Sequence, residues 1–467
     1  MAPTRRQLLK WGGVLGGLAA AGAVGRYVLL PPAPSPVLAP VDELAARLMD
    51  ALDPDARAEA CVAYDDPARQ RHNRGVWGAG LDIWGSSLGR AERQLVVDLF
   101  HAGLSPAGRA RVPRQFFVDW PGVHLMRLLV CGDPRSGPWQ IVLSAPHLNL
   151  RLGGESVEGA AFGGPQVYGD QRGDGDVGLP GNVYRHQLVA AQELVAGLPA
   201  ATRAAVRRPL APPQVRVGLQ GAAGVFDGVP VGELPDAARE RARALVASIL
   251  GDHEPAAAAQ AWACLEANGG VDALHLADYE VDHEGGRRAG DAPSQIVRLE
   301  GPAAVLYYRG EPHLHAFVNI GRDGERPLSV GELLGENPRR LEGAELAAWY
   351  ETAMRAETGA DVAYYPEPAA VGRLRAGPLR TGDLHTAESW GDLLHLVELT
   401  EPTPRIRERL AALDRDPAPD RPITVATTGY QAEEEPETLG RVRGTRPQGP
   451  LRDALVAHAR ARGFGAG

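Results

Sequence analysis

Lysine is almost absent from this chain of 467 residues, in which Lys10 is the only one. Pyridoxal phosphate enzymes hold their cofactor as a Schiff base on a lysine, and P-loop nucleotide sites place a lysine on the phosphates. Lys10 lies within the first ten residues, ahead of the part of the chain that is expected to fold. The composition therefore excludes both of these enzyme classes.

Cysteine is also scarce. Cys61, Cys131 and Cys264 lie far apart, and the chain has no Cys-x-x-Cys pair. This spacing excludes cysteine-ligated zinc, iron–sulfur clusters and thioredoxin-type redox motifs. One disulfide with one remaining thiol is compatible with the sequence, but we expect three buried thiols, because the export route inferred below requires folding in a reducing cytoplasm.

The chain also has no excess of positive charge. The formal net charge is -9 at pH 7, and no long run of basic residues occurs. Nucleic acid is therefore excluded as a partner, since its binding depends on a basic surface. A small-molecule ligand fits this composition better. Beyond the N-terminal leader, no apolar run reaches the roughly 18 residues that would span a bilayer.

The N-terminus has the layout of a twin-arginine export signal. Residues 4–10 read TRRQLLK and run directly into an apolar stretch at 11–24, and such signals direct folded proteins to the twin-arginine translocase. Residues 31–36, PPAPSP, predict an extended tether, so signal and tether occupy residues 1–40. We expect a periplasmic or otherwise extracytoplasmic protein, whose leader is either cut after Ala23 or kept as a membrane anchor.

Hydrophobic periodicity predicts an α+β fold: an antiparallel sheet core with flanking helices in a main domain at 41–365, and a smaller C-terminal region at 376–467. Apolar residues recur at helical spacing in 41–53, 90–101, 235–250, 255–268 and 341–357. Alternating patterns predict a three-stranded meander over 139–162 and strands at 295–299, 303–308 and 313–320. A turn at 309–312 joins the last two strands as a hairpin.

His313 and His315 form the strongest chemical signal in the chain. A strand of period two points both imidazoles to one face, while Leu314 packs on the other. Two neutral imidazoles at this spacing can chelate a divalent metal. Glu311 has the same parity and is a candidate carboxylate ligand, although it stands in the turn before Pro312. A structural or hydrogen-bonded role for the histidine pair remains the alternative.

A second strand has the same character. His147, Asn149 and Arg151 alternate with leucines, which places an imidazole, an amide and a guanidinium on one face. If both strands share a sheet face, His147, His313 and His315 would form a three-histidine site with an open position, suited to copper, iron or zinc. Asn149 and Arg151 would line the pocket. The alternative is the polar, solvent-facing side of an antiparallel sheet.

Five short segments carry a family resemblance: 64–71 (YDDPARQR), 102–106 (AGLSP), 146–150 (PHLNL), 224–228 (GVFDG) and 312–315 (PHLH). With these segments the chain resembles an exported bacterial family known as domain of unknown function 3500. Several members of that family have a paired histidine where this chain has Pro146 and His147, so the role of the first histidine does not transfer. The resemblance implies no activity, but it places His147, His313 and His315 in recurrent patches of the family.

The leading interpretation is a metal-dependent enzyme with a histidine-lined site for a divalent transition metal. Twin-arginine export often accompanies cofactor insertion in the cytoplasm, which slightly favours an oxidoreductase over a hydrolase. Two alternatives remain open. One is a noncatalytic envelope protein that binds a small molecule or a partner; the other is a scaffold tethered by an uncut leader.

Overall fold

The computed structural model describes residues 33–70, 80–83, 88–117, 123, 126–145, 147–153, 160–170, 182–212, 217–281, 294–310, 313–324, 333–365, 373–374, 377–381, 384, 393–413, 422–433 and 436–464. The predicted export signal, within residues 1–32, lies outside this part of the chain. None of the described helices combines the length and the apolar character that a membrane-spanning segment needs.

Helices form where apolar residues recur at helical spacing. In chain order they are α1 (Val41–Ala51), α2 (Pro54–Ala60), α3 (Arg90–Ala102), α4 (Pro106–Arg111), α5 (Arg185–Ala196), α6 (Ala200–Val206), α7 (Asp236–Leu250), α8 (Pro255–Glu266), α9 (Gly343–Thr358), α10 (Pro404–Ala411), α11 (Gly429–Glu433) and α12 (Leu451–Arg462). Helix α8 shows the start signals that the sequence offers: it begins with a proline, and the Glu254 carboxylate caps it by accepting a hydrogen bond from the Ala257 amide.

Twelve strands of the described chain form one large sheet. They are β1 (Cys61–Val62), β2 (Leu81–Asp82), β3 (Arg127–Gly132), β4 (Trp139–Ala145), β5 (Leu148–Leu152), β6 (Gln166–Asp170), β7 (Arg207–Leu210), β8 (Val229–Pro230), β9 (His275–Val281), β10 (Ile296–Gly301), β11 (Ala304–Arg309) and β12 (Leu314–Ile320). The order across the sheet is β1-β3-β4-β5-β6-β12-β11-β10-β9-β7, with β2 beside β3 and β8 beside β9. Among the described strands of this large sheet, only the β1–β3 and β7–β9 pairs are parallel, so the predicted α+β fold with an antiparallel sheet core is confirmed.

The main hydrophobic core lies on one face of this sheet. Leu148 and Leu314 belong to it, together with helix side chains such as Leu245 of α7. The second face carries smaller apolar clusters, one of which contains Tyr307 and Phe317. Because successive strand residues point to opposite faces, the strand neighbours of Leu148 and Leu314 face the second side.

The predicted meander at 139–162 has its third strand in a different place. Strands β4 and β5 pair as expected, but the next strand is β6, at Gln166–Asp170. Of the predicted strand, residues 160–162 are described, and they enter a 3-10 turn in which Phe162 has φ 57°. Two glycines with positive φ follow, so the chain turns away before it enters the sheet.

The C-terminal part of the chain builds smaller sheets. Its strands are β13 (Leu333–Asn337), β14 (Leu341–Glu342), β15 (Val362–Tyr364), β16 (Arg373–Leu374), β17 (Gly377–Arg380), β18 (Leu393–Pro402), β19 (Ile423–Thr428) and β20 (Gly440–Pro450). Four of them form a sheet in the order β15-β19-β18-β20, and β13 with β17 and β14 with β16 form two-stranded sheets.

Strand β15 connects the two regions that the sequence separates. It lies in the predicted main domain, 41–365, yet it pairs in parallel with β19 of the predicted C-terminal region, 376–467. Tyr350 of α9 and Leu455 of α12 are buried in one hydrophobic cluster. Helix α9 and strand β15 therefore share their core with the C-terminal region.

The described end of the predicted tether lies on helix α3. The Ser35 amide and hydroxyl donate hydrogen bonds of 2.8 and 2.6 Å to the buried Asp98 carboxylate. The Gln94 side-chain amide donates to the Ala33 carbonyl at 2.9 Å. Residues 33–35 are thus held on the folded body.

Candidate metal centre

His313 and His315 stand at the start of β12. Leu314, between them, is buried in the main core, so His315 faces the second side of the sheet, as the period-two pattern predicts. The backbone of His315 is aligned with Gly169 of β6 and with Arg309 of β11. His315 is 4% exposed and His313 is half-buried.

His147 immediately precedes β5, which does not pair with β12, because β6 lies between them. Leu148 is aligned with Tyr168 in the β5–β6 pair. The two strands are antiparallel, so the next pair along this register is His147 and Gly169. Gly169 therefore lies between His147 on one side and His315 on the other. Glycine has no side chain, so nothing from β6 separates the two imidazoles.

Gly169 matters because a larger residue would fill this space. A Cβ atom there would lie 3.0 Å from Cδ2 of His315, 3.4 Å from Cδ2 of His147 and 2.4 Å from the Leu314 carbonyl oxygen. Gly169 was not predicted as a site residue. A glycine inside a strand pattern often marks a place where another group approaches the backbone closely. The segment 166–170, QVYGD, has such a glycine, so the sequence did contain a signal for this residue.

The three imidazoles form a compact group. Nε2 of His147 lies 3.1 Å from Nε2 of His313, and the ring centroids are 4.5 to 5.2 Å apart. One nitrogen from each histidine lies within 4.8 Å of the others, so this group could hold a metal ion. Atoms at that spacing lie within about 2.8 Å of a common point, against the roughly 2.0–2.1 Å of a zinc–nitrogen bond. Side-chain movements under about 1 Å would close the difference.

Arg309 contacts the deepest of the three histidines. Its Nη2 atom lies 2.7 Å from Nδ1 of His315, and its side chain is 0% exposed. A guanidinium can only donate hydrogen bonds, so Nδ1 is the acceptor and neutral His315 carries its proton on Nε2. Sequence reasoning missed Arg309, because the contact arises from cross-strand pairing of β11 with β12.

Asn149 is on the predicted face but is not one of the clustered residues. It is buried in β5, aligned with Val167. It also contributes to the lining of a cavity of about 20 Å³, whose other lining residues include Tyr168 and His253. Glu311, the predicted carboxylate ligand, lies outside the described residues.

Arg151 is fully engaged with the protein framework. Its Nε donates to the Pro165 carbonyl at 2.6 Å, and its Nη1 donates to the Arg69 carbonyl at 2.6 Å and to Oε1 of Gln140 at 3.1 Å. Burial lowers the pKa of Arg151 to about 10, and the charge of Arg69 acts in the same direction. These contacts give the predicted pocket residue Arg151 a structural role: it holds the chain segments at 69 and 165 against the sheet.

A series of buried hydrogen bonds holds the backbone of Gly169 in place. Gln115 donates from Nε2 to the Gly169 carbonyl at 3.0 Å and accepts from the Tyr184 hydroxyl at 3.0 Å. The Tyr308 hydroxyl in turn donates to the Tyr184 carbonyl at 3.2 Å. Gln115 and Tyr184 are both almost fully buried. This series of hydrogen bonds therefore holds β6 in position beneath the histidines.

Comparison with known proteins does not assign this chain to a family. No family model matches the chain, and no curated protein matches it. A solved structure, the 5'-nucleotidase precursor from Thermus thermophilus, matches at 11% identity with a TM-score of 0.22. The match covers 40% of this chain and 51% of that one. Membership of the domain of unknown function 3500 family therefore stays a prediction.

Proposed function

We propose that this chain is a metal-dependent enzyme whose metal ion is held by His147, His313 and His315. The observation that supports it is the convergence of His147 with a residue 166 positions away, at 3.1 Å between the two Nε2 atoms. Three neutral imidazoles suit copper, iron or zinc. They also leave a coordination position open for water or substrate, as in catalytic rather than structural sites.

A metal ion at this position would supply Lewis acidity or, for copper and iron, electron transfer. The inferred twin-arginine export slightly favours an oxidoreductase, since such export often follows cofactor insertion. Hydrolysis of a substrate by metal-bound water is the second candidate. Both reactions need the same three ligands, so metal binding is the first property to test.

The competing proposal is a noncatalytic binding protein. His147 and His313 are close enough to hydrogen-bond to one another, and such a pair needs no metal. In that case the histidines would contact a small molecule or a partner in the envelope. Metal content separates the two proposals.

The decisive experiment is metal analysis of protein purified after native export. We expect about one transition-metal ion per chain in the wild type and a loss of most of it in a His313→Ala, His315→Ala double variant. The matched control is His186→Ala, because His186 is exposed and lies outside the cluster. Sub-stoichiometric metal in both wild type and double variant would refute the metal proposal.

We also propose export by the twin-arginine translocase to the periplasm or another extracytoplasmic location. The support is sequence alone: the TRRQLLK segment and the apolar stretch after it. N-terminal sequencing of the exported protein tests the fate of the leader. A sequence that begins at Val24 indicates cleavage, and one that begins at or near Met1 indicates an uncut anchor.

A further inference from the structure

Residues 33–37 lie along helix α3 with their one polar side chain turned inward. The Ser35 amide and hydroxyl donate to the carboxylate of Asp98, which is almost fully buried. The other four residues of this segment, which we call the apolar ridge, are exposed: Ala33, Pro34, Pro36 and Val37. The ridge therefore presents apolar side chains outward and satisfies its hydroxyl within the protein.

Val37 is the most exposed residue of its kind. Its side chain is 86% exposed, more than any other large hydrophobic residue in the part of the chain that the structure describes. A single exposed apolar residue is ordinary, but a contiguous exposed apolar segment marks contact with a membrane or with another protein. The ridge is such a segment, because four of its five residues are apolar and exposed.

The ridge runs in the same direction as helix α3. The Gln94 side chain donates to the Ala33 carbonyl at 2.9 Å, and Asp98, one turn further along the helix, accepts from Ser35. The N-terminal end of the ridge therefore points towards Arg90, which is exposed and lies one turn before Gln94 on the same helix face.

The predicted leader ends close to this point in the sequence. Residues 11–30 contain a single charged residue, Arg26, and about 20 predominantly apolar residues suffice to span a bilayer as a helix. Two prolines separate Leu30 from Ala33. At no more than about 3.6 Å per residue, the ridge begins within roughly 11 Å of the end of the apolar stretch. An uncut leader would thus bring the ridge to the lipid headgroups.

We propose that the leader stays on the exported protein and that the apolar ridge lies against the headgroup region of that membrane. This inference rests on the proposed export signal and is independent of the metal site. Apolar side chains bind at the boundary between headgroups and acyl chains, and Arg90 attracts anionic lipids beside them. Because Ser35 ties the ridge to Asp98, the folded body is held with α3 towards the lipids.

Val225 is the matched control for Val37. It is also a valine, with an exposure of 82%, and it lies just before β8, which pairs with β9. Helix α1, which packs against α3, contacts β1 at the other end of the large sheet through Met49 and Cys61. A membrane that contacts the ridge should leave Val225 in water.

The test uses the full chain, with its leader, in vesicles of phosphatidylcholine and phosphatidylglycerol. A Cys61→Ser background removes the half-buried native thiol, and single Val37→Cys and Val225→Cys variants carry a nitrobenzoxadiazole fluorophore. Iodide should quench the label at position 37 about fivefold less than the label at position 225. A nitroxide on the lipid headgroups should quench the label at 37 and not the one at 225.

A third label tests whether the ridge holds the folded body at the membrane. Ala91 is exposed at the start of α3, so a label on Ala91→Cys should also be quenched by the headgroup nitroxide. Asp98→Ala, with folding verified by circular dichroism, removes the acceptor for Ser35. Quenching at position 91 should then fall about fivefold, because the body is no longer tied to the ridge.

The outcomes separate this inference from the proposal on which it rests. Equal iodide quenching at positions 37 and 225 in a vesicle-bound chain would overturn the inference and leave the anchor intact. Quenching at position 91 that persists in Asp98→Ala would do the same. An exported chain that begins at Val24 and does not bind the vesicles would refute the anchor and the inference together.

Discussion

Gly169 of β6 is aligned with His315 of β12, and the missing side chain leaves the space through which that imidazole reaches His147. A Cβ at this position would be in ordinary or close contact with both rings. The middle strand thus contributes to the site by having no side chain there.

Gly169→Ala should therefore disrupt both the strand pairing and the histidine cluster. The new Cβ would stand 2.4 Å from the Leu314 carbonyl oxygen, which is backbone and cannot rotate away. We expect a loss of about 1–3 kcal/mol in the free energy of unfolding, as for other overpacked sites, and at least tenfold weaker metal binding. Urea unfolding and Co²⁺ titration measure the two effects.

The control for this variant is Gly444→Ala in β20, where a Cβ would meet no atom within 4 Å. Its stability and metal affinity should equal those of the wild type. Unchanged metal affinity in folded Gly169→Ala would mean that the glycine is not a requirement of the site.

Gln115→Leu should weaken the support beneath the histidines. It removes the donor to the Gly169 carbonyl and the acceptor for the Tyr184 hydroxyl. Both partners are buried, and each unsatisfied polar group costs about 1–3 kcal/mol. We expect a lower urea midpoint with an unchanged slope. Gln448→Leu, at an exposed position of β20, should have no such effect, and equal midpoints in the two variants would contradict the role of Gln115.

Where sequence periodicity predicted a helix or a strand, the structure mostly agrees, because helix and strand patterns depend on neighbours along the chain. The helices α1, α3, α7 and α8 and the strands β11 and β12 lie within two residues of the predicted ranges. The direction of His315 followed from the same alternation. The three-histidine cluster was a conditional prediction, which required two strands to share a sheet face.

The residues that the sequence missed depend on contacts between distant segments. Pairing of β6 between β5 and β12 is set by long-range packing, so no local pattern placed Gly169 at the site. Arg309 was assigned to a turn, whereas the structure ends β11 with it, opposite His315. The third strand of the meander was misplaced for a local reason. Phe162 has a positive φ angle, which ends the extended backbone there, and an aromatic residue rarely adopts such an angle.

His253 should make the folded protein less stable in mild acid. Burial lowers the pKa of His253 from the usual 6.5 to about 4. Between these pH values the unfolded chain binds a proton at His253 that the folded chain does not. The stability that depends on neutral His253 is therefore fully present above pH 6.5 and is lost as the pH falls towards 4. The total loss is up to roughly 3 kcal/mol, at 1.36 kcal/mol for each pH unit.

Urea unfolding at several pH values between 4 and 7 measures this effect. His253→Gln should flatten the pH dependence, because glutamine does not titrate. His186→Gln, at an exposed position, should retain most of it. A wild-type stability that stays constant over this range would contradict the assignment.

Asp98→Ala should release the N-terminal segment from helix α3. The substitution removes the acceptor for the Ser35 amide and hydroxyl, and each hydrogen bond to a charged group contributes about 1.5–3 kcal/mol. Amide hydrogen exchange should become faster at Ser35 by at least tenfold while exchange in α9 stays the same. Unchanged exchange at Ser35 would show that other contacts hold this segment.

The central claim is that three histidines from two distant segments bind one metal ion, and X-ray absorption at the metal edge tests it most directly. For the metal-loaded wild type we predict a shell of three imidazole nitrogens at about 2.0–2.1 Å, with a further light-atom ligand. The shell should lose one imidazole in His147→Ala, in which His313 and His315 remain. A wild-type spectrum without imidazole scattering, or one that His147→Ala leaves unchanged, would contradict the account.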